Sequence, residues 1–78
     1  MGKIKLTVPG KILNGKRVSF KTPCTSANTT GLTINNTTYT MVNANGDSVA
    51  GTTGLWAKDA MLSIILDTTS KKACVVNI

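Results

Sequence analysis

The run Met61-Leu62-Ser63-Ile64-Ile65-Leu66, the polar segment Asp67-Thr68-Thr69-Ser70-Lys71 and the run Lys72-Ala73-Cys74-Val75-Val76-Asn77-Ile78 decide the fold class. Six or seven residues are too few for a stable helix. Ile64, Ile65, Val75 and Val76 are β-branched, which stiffens χ1 and suits a pleated strand. Two such runs around a short polar loop predict a β-hairpin. Met61, Ser63 and Ile65 alternate with Leu62, Ile64 and Leu66, so both faces of the first arm are apolar. That predicts a central hairpin covered on both sides, by the rest of the chain or by a partner.

The rest of the chain reads as further strands and turns. In Lys3 to Val8, Ile4, Leu6 and Val8 face one way and Lys3, Lys5 and Thr7 the other, the pattern of a half-buried strand. Pro9-Gly10 ends it as a turn. Asn14-Gly15, between Lys11-Ile12-Leu13 and Lys16-Arg17-Val18-Ser19-Phe20-Lys21, is a strong two-residue hairpin cue because both residues tolerate positive φ. Residues 1–21 are therefore expected to include a basic hairpin with Val18 and Phe20 pointing inward. Cys24 to Gly31 reads as a polar loop. Leu32-Thr33-Ile34 and Thr38-Tyr39-Thr40-Met41-Val42 bracket Asn35-Asn36-Thr37 as a second hairpin. Asn43 to Asp47 is a turn, Ser48-Val49-Ala50 a short strand, and Leu55 to Ala60 one helical turn or an irregular corner. No heptad run and no internal repeat is present.

Seventy-eight residues form one domain, 1–78, with a thin core, since chains near 60 residues bury only about 60% of their unfolded surface. One Trp, one Tyr and one Phe supply few large side chains. A domain of this size usually needs a staple or an oligomeric partner. Cys24 and Cys74 allow one disulfide, but nothing marks the chain as secreted, so the unpaired reading is favoured. Met1 to Leu6 alternates charge and apolar residues, unlike a signal peptide, and the expectation is synthesis in a bacterial cytoplasm. No apolar run approaches the roughly 18 residues of a membrane helix.

The net charge of +6 is concentrated at one end. Lys3, Lys5, Lys11, Lys16, Arg17 and Lys21 fall in a segment without acids, whereas Lys58, Lys71 and Lys72 are balanced by Asp47, Asp59 and Asp67. On alternating strands the first six would gather into a positive patch for docking on an acidic protein surface. They would equally guard a sheet edge against unwanted strand pairing. Nucleic acid is the weaker partner: single-strand readers interleave aromatic rings with cations, and only Phe20 lies among these cations, pointing inward.

Catalysis finds no support. The chain has no His and no Glu, and no paired carboxylates or CxxC. The three Asp residues sit at turns, where Asp commonly bonds backbone. Cys74 reads as a small core hydrophobe, with Lys72 on its face of the strand. No cofactor or metal site is expected. Trp56 reads as a plug for the open end of the core or, with Leu55, as an interface anchor.

The segments Gly31-Leu32-Thr33-Ile34-Asn35-Asn36-Thr37-Thr38-Tyr39-Thr40-Met41-Val42-Asn43-Ala44-Asn45-Gly46, Gly54-Leu55-Trp56-Ala57, Ala60-Met61-Leu62-Ser63-Ile64-Ile65-Leu66-Asp67 and Lys71-Lys72-Ala73 carry a resemblance. Together they resemble a small β module of phage and prophage virion proteins of Firmicutes, of tail-fibre, head-fibre or minor structural type. The resemblance spans roughly residues 17–78 and brings no catalytic or ligand-binding residue. It implies a non-enzymatic virion protein, in the manner of a capsid decoration, head fibre or tail fibre. Such a protein would self-assemble, as a trimer by preference, and dock on other virion proteins. The expected fold is all-β: a small antiparallel sandwich or barrel-like domain of six to eight strands with no long helix. Two alternatives remain, a small basic nucleic-acid-binding protein and a carbohydrate or host-surface binder using Trp56 and Tyr39 as stacking faces.

Overall fold

A computed structural model describes residues 2–78; Met1 lies outside them. The fold is all-β, with six strands and no helix among the described residues: β1 (Gly2–Leu6), β2 (Arg17–Lys21), β3 (Thr29–Ile34), β4 (Thr37–Val42), β5 (Met61–Asp67) and β6 (Lys72–Val75). They form one sheet in the order β1-β3-β4-β6-β5-β2, curled into a half-barrel. A second sheet, which a sandwich would require, is absent among the described residues.

Both C-terminal hairpins form where the sequence places them. β3 and β4 pair antiparallel around Asn35 and Asn36, whose φ values of 49° and 66° give the left-handed pair that a two-residue turn needs. Thr37 already belongs to β4, and the upstream loop is shorter than expected because β3 begins at Thr29. β5 and β6 pair antiparallel across a loop closed by Lys71 at φ 58°.

Two parallel pairings, β1 with β3 and β4 with β6, correct the purely antiparallel expectation. A second correction concerns Asn14-Gly15. The turn forms, with Gly15 at φ 87° and the Lys16 N–H donating to the Leu13 carbonyl at 3.1 Å, but Lys11 to Leu13 makes no strand and no hairpin follows. Instead β2 crosses to β5, where Val18 lies opposite Ile64 and Phe20 opposite Leu62. Packing against a long apolar strand buries more surface than the short Lys11-Ile12-Leu13 arm offers. Ser48 to Ala50 is likewise reduced to a single bridge from Ser48 to Val42, and Leu55 to Ala60 is irregular.

Alternation then sorts the side chains. The concave face carries Ile4, Phe20, Leu32, Ile34, Tyr39, Met41, Leu62, Ile64, Leu66, Ala73 and Val75, and the connection from β4 to β5 adds Val49 and Trp56; all are buried in one cluster. The Cα radius of gyration, 11.3 Å, matches the roughly 11.5 Å expected of a compact domain of this length. On the convex face β5 and β6 are less protected than their two-faced pattern predicts. Met61 is 60% and Val76 40% exposed, and the neighbouring pair Ile65 and Cys74 is half-buried. Cys74 therefore sits outside the core cluster, on the convex face with Lys72, because the inward positions of β6 belong to Ala73 and Val75.

Candidate docking edges

The strand order places the N-terminal cations at both free edges of the sheet. Lys3 and Lys5 lie on β1, Arg17 and Lys21 on β2, and Lys11 and Lys16 in the connection between those strands. All six are exposed. They are thus distributed along two edges and a loop, with β3, β4, β6 and β5 lying between β1 and β2 in the order. No Cα of β1 comes within 8 Å of a Cα of β2, well beyond the spacing of about 4.8 Å between paired strands.

Backbone direction adds a feature that side-chain alternation cannot reveal. In an antiparallel ladder alternate residues turn their N–H and C=O toward the partner. The Leu66 N–H donates to the Lys16 carbonyl at 2.9 Å, and the Thr22 N–H donates to the Ala60 carbonyl at 2.9 Å. The even-numbered residues of this segment therefore face β5, and Arg17, Ser19 and Lys21 turn their peptide groups outward. Across the ladder, Ser63 directs its own peptide groups away from β2: its N–H donates to Asn77 Oδ1 at 3.0 Å and its carbonyl accepts from the Val76 N–H at 2.9 Å. At the other edge the Gly2 N–H donates to the Asn28 carbonyl, and the Leu6 carbonyl accepts from the Asn35 N–H. Even-numbered residues of β1 thus bond β3, leaving Lys3 and Lys5 with open peptide groups. Of the five edge residues with open backbone, four carry a cation; the fifth is Ser19, whose hydroxyl pairs with that of Ser63 at 3.0 Å.

A polar knot holds the ends of both edges in place. Thr22, Ser26 and Thr29 are buried, contrary to the solvated loop expected there. Ser26 Oγ accepts from the Leu55 and Trp56 N–H groups at 3.0 and 3.3 Å, while the Ser26 N–H donates to the Trp56 carbonyl at 3.1 Å. The Trp56 indole N–H donates to the Cys24 carbonyl at 3.1 Å, and that carbonyl also accepts from the Thr22 hydroxyl at 2.9 Å. Cys24 Sγ lies 3.3 Å from Thr29 Oγ1 and 3.6 Å from the Gly2 carbonyl. These bonds draw the loop that follows β2 beneath the start of β1. A side chain at position 2 would strike the Asn28 carbonyl oxygen and Cys24 Sγ, so the close approach there depends on glycine.

The remaining candidate residues are placed as follows. Trp56 is 8% and Tyr39 4% exposed, so neither ring presents a face for stacking, while Leu55 beside Trp56 is 37% exposed. An open groove of about 440 Å³ runs along the edge of Trp56, lined by Thr25, Ala27, Thr53, Gly54 and Ala57. Cys24 and Cys74 are both free. Among the described residues no three His, Cys, Asp or Glu side chains are grouped to hold a metal, and no helix is long and apolar enough to cross a membrane. Asp67 acts within its turn: its carboxylate accepts from the Ser70 and Thr69 N–H groups at 3.1 and 3.0 Å. The bonds from Ser70, then that from Thr69 and the nearby Lys72 charge, hold its carboxyl below the usual aspartate value.

Fold and edges together define the class: a small single-sheet β domain whose two open edges are cationic. Comparisons with known protein families, curated proteins and solved structures find no match.

Proposed function

We propose that this chain is a non-enzymatic docking module of a phage particle, attached through its cationic sheet edges to an acidic protein surface. The observation that carries the reading is the coincidence of open backbone and positive charge at Lys3, Lys5, Arg17 and Lys21. The resemblance of residues 17–78 to virion β modules supplies the setting. Long-range attraction steers such an encounter, and its strength falls with salt. Self-assembly, the other half of the proposal, would use the uncovered convex strip of Met61, Ile65 and Val76, since the edges repel their own copies.

Burial of Phe20, Tyr39 and Trp56 removes the stacking groups on which single-strand nucleic-acid or carbohydrate recognition would draw. The test is quantitative mass spectrometry of particles from the source phage or induced prophage. The protein is expected on the particle. A variant with Lys3, Lys5, Arg17 and Lys21 replaced by Gln should fold normally yet, at sub-saturating protein, fall to less than about a tenth of the wild-type occupancy, a loss of at least about 1.4 kcal/mol. Absence of the wild-type protein from particles, or undiminished occupancy of the variant, overturns the reading.

A further inference from the structure

The β2 edge has the features of a receptor for one added strand, and its chemistry selects which strand. Arg17, Ser19 and Lys21 offer three outward N–H and three outward C=O groups, a template for strand addition. Antiparallel addition here places the incoming residues opposite Arg17 and Lys21 on the convex face, beside two cations. The residues opposite Val18 and Phe20 fall on the concave face. There the cover is incomplete: Val18 is only partly buried, although it packs on the core cluster.

The same register excludes the obvious occupants. A second β2, paired antiparallel about Ser19, sets Arg17 against the partner's Lys21 twice. A second β1 sets lysines against the same cations. Like charges directly opposite one another destabilise a strand pair. The chain's own acids, Asp47, Asp59 and Asp67, are dispersed over separate turns and a strand end, so no segment of it carries two acids at strand spacing.

We propose that β2 takes up, by strand addition, an extended segment of another protein in which acidic residues alternate with apolar ones. This deepens the attachment reading above, on which it rests, by naming the edge and the chemistry of its partner. The Glu side chains would pair with Arg17 and Lys21, the apolar ones would cover the half-buried Val18 and close over the edge beside Phe20, and a small residue would lie over Ser19. The cations then act as a selector as well as a guard, repelling copies of this chain and favouring an acidic strand over a neutral one.

The experiment uses a synthetic peptide with the core Glu-Val-Ser-Val-Glu and a control with the core Lys-Val-Ser-Val-Lys, titrated into the full chain and followed by NMR. The acidic peptide is expected to bind at least about tenfold more tightly than the control, and to slow amide exchange at Arg17, Ser19 and Lys21 in proportion to occupancy. S19P removes the central outward donor and the hydroxyl pair with Ser63 but no backbone bond to β5, a position where an edge strand tolerates proline, and should abolish binding. R17E/K21E should exchange the preference, binding the lysine peptide; this decides the matter if S19P does not fold. Equal binding of both peptides, acidic-peptide binding that S19P leaves unchanged, or binding without protection of those three amides overturns the proposal. Charge-dependent particle occupancy that S19P does not alter would leave the attachment reading standing and remove strand addition. A peptide docked on β2 by a protein missing from particles would do the reverse.

Discussion

Ser26 shows how much one small polar side chain can organise. It is fully buried, its Oγ serves two backbone donors on the 55–56 corner, and its own N–H and C=O are bonded to Trp56 and Gly51. Four bonds thus tie the loop after β2 to the connection before β5. Ser26→Ala leaves the hole nearly unchanged but strands two N–H groups: that of Trp56 is buried and costs about 1–3 kcal/mol without a partner, and that of Leu55, only part-buried, costs about 1 kcal/mol. Urea unfolding should show a loss of roughly 2–4 kcal/mol with an unchanged slope. A loss below about 0.5 kcal/mol would mean that these donors find other acceptors. Nothing in the local sequence distinguishes Ser26 from Thr25 or Asn28, because all three suit a solvated turn. Burial comes from the distant Trp56 packing over it.

At the level of elements, asparagine side chains stand in for peptide groups where ladders run out. Asn35 Oδ1 accepts from the Val8 N–H and Nδ2 donates to the Val8 carbonyl, both at 2.8 Å, extending the β1–β3 ladder past the end of β1. Asn77 does the same beside β5, accepting from the Ser63 N–H and donating to the Met61 carbonyl at 2.8 Å. Asn35 also has to hold a positive φ. The two contributions separate by substitution: Asn35→Gly keeps the turn and loses only the paired bonds, about 1–3 kcal/mol at a net 0.5–1.5 each. Asn35→Ala adds a left-handed alanine and should cost a further 1 kcal/mol or so. Thermal unfolding of the pair tests this, and equal stability of the two variants would contradict the assigned backbone strain. The turn was readable from Asn35-Asn36; its reach to Val8 was not, since that bond joins residues 27 apart.

Across the whole molecule, the sheet is open at both ends and the charge lies there. Open edges ordinarily invite association, and inward or outward lysines are a common defence. Replacing Lys3, Lys5, Arg17 and Lys21 together by Thr, a good strand former, should leave the core intact and permit edge-to-edge pairing. Sedimentation at increasing concentration is expected to show association of the variant where the parent stays monodisperse or assembles independently of these residues. A variant that behaves like the parent would show that the cations do not guard the edges. Among the described residues, thirteen side chains, mostly aliphatic, form one contiguous buried cluster despite the scarcity of aromatic residues.

The amino-acid sequence by itself determined the all-β class, the β3–β4 and β5–β6 hairpins, the inward faces of β1 and β2 and the identity of the charged residues. These rest on period-two alternation and on turn chemistry, both properties of near neighbours. Tertiary structure alone decided that β2 leaves Asn14-Gly15 to pair with β5, that β1 and β4 acquire parallel partners, and that the cations belong to two edges. Strand order is chosen by which faces bury most surface together, a comparison among segments tens of residues apart. Alternation along a strand says which side a lysine faces, but only the neighbour across the ladder says whether its backbone is left free.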